Sequence, residues 1–184
     1  MNIYLVGFRG TGKSTIAREL ASRFGAPWLA LDLDELLEEA VGKSIATMFE
    51  EIGEAGFRDQ EEETLRRVSA FDHVIAGTGG GVVLRQANRD ILKRGWVVWL
   101  TADAETIHRR VQRDPTTADR RPNLTTNGGI GEIRELLAAR DPLYRDVANL
   151  VVANDQEGSI DAVVTTILTA WTEWTGSESP REPS

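Results

Sequence analysis

Eight consecutive residues, Gly7-Phe8-Arg9-Gly10-Thr11-Gly12-Lys13-Ser14, fit the spacing G-x-x-x-x-G-K-[ST]. Glycines at these places let backbone N–H groups close on phosphate oxygens, and a helix opening at Ser14 adds positive potential. A lysine so placed reaches the β- and γ-phosphates of ATP, and the Ser14 hydroxyl ligates Mg²⁺. The expected nucleotide contacts are Gly10, Thr11, Gly12, Lys13, Ser14 and Thr15. The competing reading is an ordinary glycine-rich turn between a strand and a helix.

Asp32 and Asp34 follow a second apolar run. At i, i+2 in extended chain both carboxylates point to one face. One can then hold Mg²⁺ through water while the other orients an attacking hydroxyl. Equally, Asp32 can cap a helix with Glu35 at N3, leaving Asp34 as a first-turn dipole residue. Arg58 and Arg140 are the candidate anion forks, since arginine binds carboxylates bidentately. Their alternatives are an i, i+3 surface pair with Glu61 for Arg58, and a cation at a helix C-terminus for Arg140. Gly79-Gly80-Gly81 suits close backbone approach to a ligand, or a flexible turn. Residues 113–129 carry Arg113, Arg120 and Arg121 without periodicity. A loop that long is a lid able to bring an arginine to a transferring phosphoryl group, or a disordered surface loop.

The elements that would hold these groups alternate. Residues 3–6, 28–31, 73–76, 97–100 and 150–152 read as short strands. Residues 14–24, 33–41, 45–52, 54–69, 85–93, 104–112, 130–140 and 160–174 read as helices, with a break at Gly53 and a stop before Pro142. Such alternation implies an α/β/α sandwich around a parallel sheet, with ligands at the carboxyl ends of its strands. Residues 1–175 form the expected domain and 176–184 a disordered tail. Trp171 and Trp174, three apart, are expected to dock the last helix on the sheet.

The whole chain has 184 residues, a net charge of −8 and no cysteine. An acidic chain lacks a general field for nucleic acid, and the absence of cysteine rules out disulfides and thiolate metal sites. No apolar run approaches the roughly 18–20 residues of a membrane span. The chain is therefore expected to be cytoplasmic, with neither nucleic acid nor membrane as a partner, and it is expected to work as a monomer.

Taken in order, these motifs resemble the shikimate kinase family, small phosphate-loop enzymes. The matches are Gly7 to Ser14, Asp32 and Asp34, Phe57-Arg58 with Glu61, Gly79 to Gly81, Arg121-Pro122, and Arg140 before Pro142-Leu143-Tyr144. The resemblance implies a five-stranded parallel sheet in order 2-3-1-4-5 and ATP-dependent phosphorylation of the shikimate 3-hydroxyl. It implies that Arg58, Arg140 and Gly80 hold the substrate, that Asp34 positions or deprotonates the nucleophile, and that Asp32 helps hold Mg²⁺. Arg121 would act from the lid on the phosphates, and Arg110 would stack near adenine. Two stretches depart from the family. Asn123 follows Arg121-Pro122 where many members have leucine, and residues 153–158 lack the proline often packed on adenine. Other acceptors, such as gluconate or a nucleoside monophosphate, and a regulator that binds ATP without turnover, are the remaining readings.

Overall fold

A computed structural model of the chain describes residues 1–113, 129–155 and 160–177. The strands are β1 (Ile3–Val6), β2 (Leu29–Asp32), β3 (Val74–Gly77), β4 (Trp96–Thr101) and β5 (Leu150–Ala153). The helices are α1 (Lys13–Phe24), α2 (Leu33–Val41), α3 (Ile45–Ser69), α4 (Gln86–Leu92), α5 (Ala104–Arg113), α6 (Ile130–Val147) and α7 (Ile160–Ser177). A short 3₁₀ turn, Val82–Leu84, precedes α4. All pairings are parallel and the order is β2-β3-β1-β4-β5, as expected.

Alternation along β1 sorts the core into two layers. Tyr4 and Val6 join Leu65 and Val68 of α3 and Tyr144 and Val147 of α6. Ile3 and Leu5 face the other way, onto Ile16 and Leu20 of α1 and Val164 and Ile167 of α7. Burial on both faces explains why the central strands read as unbroken apolar runs. The aromatic staple of α7 is present: Trp171 and Trp174 pack on Trp96, with ring centroids 5.3 and 6.3 Å away. Among the described residues, no helix is long and apolar enough to cross a membrane.

Two helix ends differ from expectation. The helix beginning at Ile130 does not stop before Pro142 but runs through it to Val147. An internal proline costs about 3 kcal/mol, yet the turn beyond it carries Tyr144 and Val147, both buried in the core. Their packing outweighs the lost hydrogen bond, so Arg140 lies inside a helix rather than at its C-terminus. The last helix also continues past Trp174, and Gly176 and Ser177, assigned to the tail, are helical. Residues 178–184 lie outside the described residues. So do 114–128, and with them Arg120, Arg121 and Pro122 of the expected lid. Of that segment's ends, Arg113 closes α5 and Gly129 caps α6.

Candidate active site

The phosphate loop leaves β1 at Gly7 and enters α1 at Gly12, whose φ of 88° is a conformation that side chains rarely adopt. The Phe8 carbonyl is its hub. It accepts from Thr11 Oγ1 at 2.8 Å and from Lys13 Nζ at 2.7 Å. Lys13 is thus curled over the loop and nearly buried. Thr15, in contrast, is exposed on the first turn of α1.

At the end of β2 the structure combines both readings of the aspartate pair. Asp32 is the N-cap of α2, its Oδ1 accepting from the N–H groups of Asp34 at 3.0 Å and Glu35 at 3.3 Å. Its other oxygen, Oδ2, accepts from the Ser14 hydroxyl. The two carboxylates therefore do not extend side by side from one strand. Asp32 ends the strand, and Asp34 sits half-buried in the first turn of α2. Ser14 and Asp32 bring two hard oxygen ligands together beside the phosphate loop, a donor set that fits Mg²⁺.

Arg58 is not a surface residue. The positive φ of Gly53, 67°, kinks α3 there, in keeping with the expected break. The second half then turns Phe57, Arg58, Glu61, Leu65 and Val68 inward. The Arg58 Nη1 donates to buried Glu61 at 2.8 Å and Nη2 to solvent-facing Glu54 at 3.3 Å. Its Nε finds no hydrogen-bond partner among the described residues.

The triple glycine joins the two halves of the site. A Cβ on Gly81 would lie 2.3 Å from Arg58 Nη1, so the guanidinium rests where any side chain would stand. A Cβ on Gly80 would lie 3.2 Å from the Arg9 backbone nitrogen and 3.5 Å from the Gly7 carbonyl. The Gly80 carbonyl accepts from Arg140 Nη1 at 3.1 Å and from the Tyr144 hydroxyl at 2.5 Å. The Arg140 guanidinium also lies 5.6 Å from the Phe8 ring centre, a cation–π distance. Close approach, not flexibility, explains Gly80 and Gly81, and all three glycines are buried.

On the far side of the phosphate loop, Arg110 of α5 donates to the Gly10 carbonyl at 3.3 Å. Asp103 accepts from Thr106 N–H at the start of the same helix, and hydrogen bonds from Thr106 hold its carboxyl below the usual range. Two contributors escape sequence reasoning: Tyr144, which enters it only as part of a motif, and Asn154, which reaches the Thr11 carbonyl at 3.0 Å. Its signal was position, directly after the last strand at the ligand-bearing end of the sheet.

Comparison with known proteins agrees with this fold. The profile of the family described as shikimate kinase matches residues 9–172. A protein of Rhodopirellula baltica named shikimate kinase is 42% identical over 170 residues, covering 92% of this chain and 89% of the relative. The solved shikimate kinase of Acinetobacter baumannii in complex with shikimate superposes with a TM-score of 0.85 at 36% identity, covering 94% and 93% of the two chains. A gluconokinase structure from Sinorhizobium meliloti has a TM-score of 0.55 at 12% identity, over 96% and 94%, and shares the fold alone.

Proposed function

The chain belongs to the shikimate kinase family, and from that premise we propose that it phosphorylates shikimate at the expense of ATP. The observation carrying this reading is the Gly80-Gly81 junction. There Arg58 lies against Gly81 and Arg140 donates to the Gly80 carbonyl, both buried, while Gly80 itself packs on the backbone of the phosphate loop. A carboxylate held there brings the rest of a small polyol to the γ-phosphate, which is positioning rather than covalent catalysis.

In the reaction a hydroxyl oxygen of the acceptor attacks the γ-phosphorus. The bond to the β–γ bridging oxygen breaks, ADP leaves, and the hydroxyl proton departs. Asp34, on the first turn of α2, positions that hydroxyl or takes its proton. Lys13 turns from the Phe8 carbonyl to the β- and γ-phosphates. The backbone of Gly10, Thr11 and Gly12, with Thr15, lines the phosphates, and Arg110 borders the base. Arg121 acts on the phosphates from outside the described residues, by likeness to the family. Ser14 and Asp32 would hold Mg²⁺, which when bound neutralises charge on the phosphate oxygens. Arg58, Arg140 and the Gly80 backbone hold the acceptor. With this reading go a cytoplasmic location, in keeping with a chain without cysteine, and a monomeric working unit.

The deciding experiment follows ADP release from Mg-ATP with shikimate, with gluconate in parallel, and without acceptor. Stimulation by shikimate alone is the expected result. ATP binding without stimulation by shikimate would overturn the assignment and shift it to another acceptor or to a regulator.

A further inference from the structure

Asn154 stands at the carboxyl end of β5 and is 5% exposed. Its backbone N–H donates to the Thr101 carbonyl at 2.8 Å, which fastens it to the end of β4. Its side chain crosses to the phosphate loop, where Nδ2 donates to the Thr11 carbonyl at 3.0 Å. A Cβ added to Gly12 would sit 2.8 Å from that same Nδ2. The side chain therefore lies against the peptide between Thr11 and Gly12. A peptide is rigid and planar, and in its trans form the C=O and N–H point opposite ways. Holding the Thr11 carbonyl outward thus fixes the direction of the Gly12 N–H, which the motif uses for phosphate.

The tether is braced from both sides. Asp155, the next residue, accepts from the Asp103 N–H at 2.6 Å. Asp103 starts the helix whose Arg110 holds the Gly10 carbonyl. Side chains from the ends of β5 and α5 thus grip successive carbonyls of the phosphate loop, those of Thr11 and Gly10.

We infer that Asn154 is a positioning residue for the nucleotide, aiming the Gly12 N–H at the phosphates by holding the Thr11 carbonyl. The inference rests on the phosphate loop's use in the proposed kinase reaction. It does not depend on which acceptor is phosphorylated. Asn154→Asp keeps the shape but replaces the donor with a charged acceptor facing a carbonyl and the phosphates. Asn154→Ala removes the donor alone.

The test is calorimetric titration of each full-length variant with MgADP, together with KM for ATP and for shikimate. The expected result is MgADP affinity weakened about fivefold in Asn154→Ala, the scale of one lost hydrogen bond, and more in Asn154→Asp. The ATP KM should follow, while the shikimate KM stays within about twofold. A merely structural role would lower the melting temperature and leave MgADP affinity at the wild-type value, which overturns the inference. Equal rises in both KM values would also overturn it. Should Asn154→Asp fail to fold, Asn154→Ala decides by the same readings. MgADP titration needs no acceptor, so a wild-type protein inert toward shikimate would count against the proposed reaction and not against this inference.

Discussion

Arg58 sits between two carboxylates of unequal standing. Glu61 is buried with it, while the Glu54 side chain is 60% exposed. An incoming carboxylate can displace the exposed partner and leave the buried one to hold the fork in place. Removing one partner of such a buried pair costs about 2–5 kcal/mol, much of it from stranding the other charge. Arg58→Ala should therefore raise the shikimate KM far more than the ATP KM and also lower stability. Arg58→Lys separates the two effects. It keeps a cation for Glu61 but loses the planar fork, so the shikimate KM should rise about tenfold with little loss of melting temperature. An unchanged shikimate KM in both variants would remove Arg58 from the acceptor site. Glu54→Gln tests the exchange. An exposed ion pair is worth about 0.2–1 kcal/mol, so freeing Arg58 from it should lower the shikimate KM up to about fivefold and leave the ATP KM alone. A raised shikimate KM would mean that Glu54 orients the arginine rather than competing for it.

The start of α5 carries its own pH signature. Hydrogen bonds from Thr106 lower the Asp103 carboxyl from its ordinary value of 3.8. A carboxyl lowered in the folded state contributes stability above its unfolded pKa and loses it as pH falls through the folded one. Asp103→Asn should thus lower the melting temperature at neutral pH, and the gap to wild type should close as the buffer is taken below 3.8. A gap independent of pH would mean that the Asp103 charge is not what stabilises the start of α5. The strands and the phosphate loop were legible in the sequence because their signals are local: apolar runs, glycines and a lysine at fixed spacing. The strand order came only with the resemblance to a family, since no local signal says which strands pair. The passage of α6 through Pro142 was not, because a distant partner decides it. Tyr144 must reach the Gly80 carbonyl across the site, and no spacing announces that contact. The same holds for Arg58 and Glu61. The spacing i, i+3 is equally that of a solvated pair, and only the packing of α3 on the sheet buries it. Asp32 shows a third case, where capping and Ser14 binding are properties of one side chain rather than rival explanations.

The molecule keeps its chemistry at one end of the sheet and a block of aromatic packing at the other. Phe24, Trp28, Trp96, Trp171 and Trp174 meet at centroid distances of 4.8–6.3 Å, binding α1 and α7 to the strands. Truncating a large aromatic in such packing costs about 3–5 kcal/mol. Trp171→Ala should therefore move the urea midpoint strongly downward while leaving kcat and both KM values near wild type at low temperature. Altered KM values in the folded variant would show that the two ends of the sheet are coupled. The division of the five tryptophans has a further use. Four belong to that distant block, but Trp99 stacks on Tyr144 at 5.6 Å, and the Tyr144 hydroxyl holds the Gly80 carbonyl. Intrinsic fluorescence is therefore split by location. Emission from the four-ring block should follow unfolding and emission from Trp99 should follow events at the Gly79–Gly81 loop, so a Trp99→Phe variant is expected to be optically silent to binding there yet still bright to denaturation.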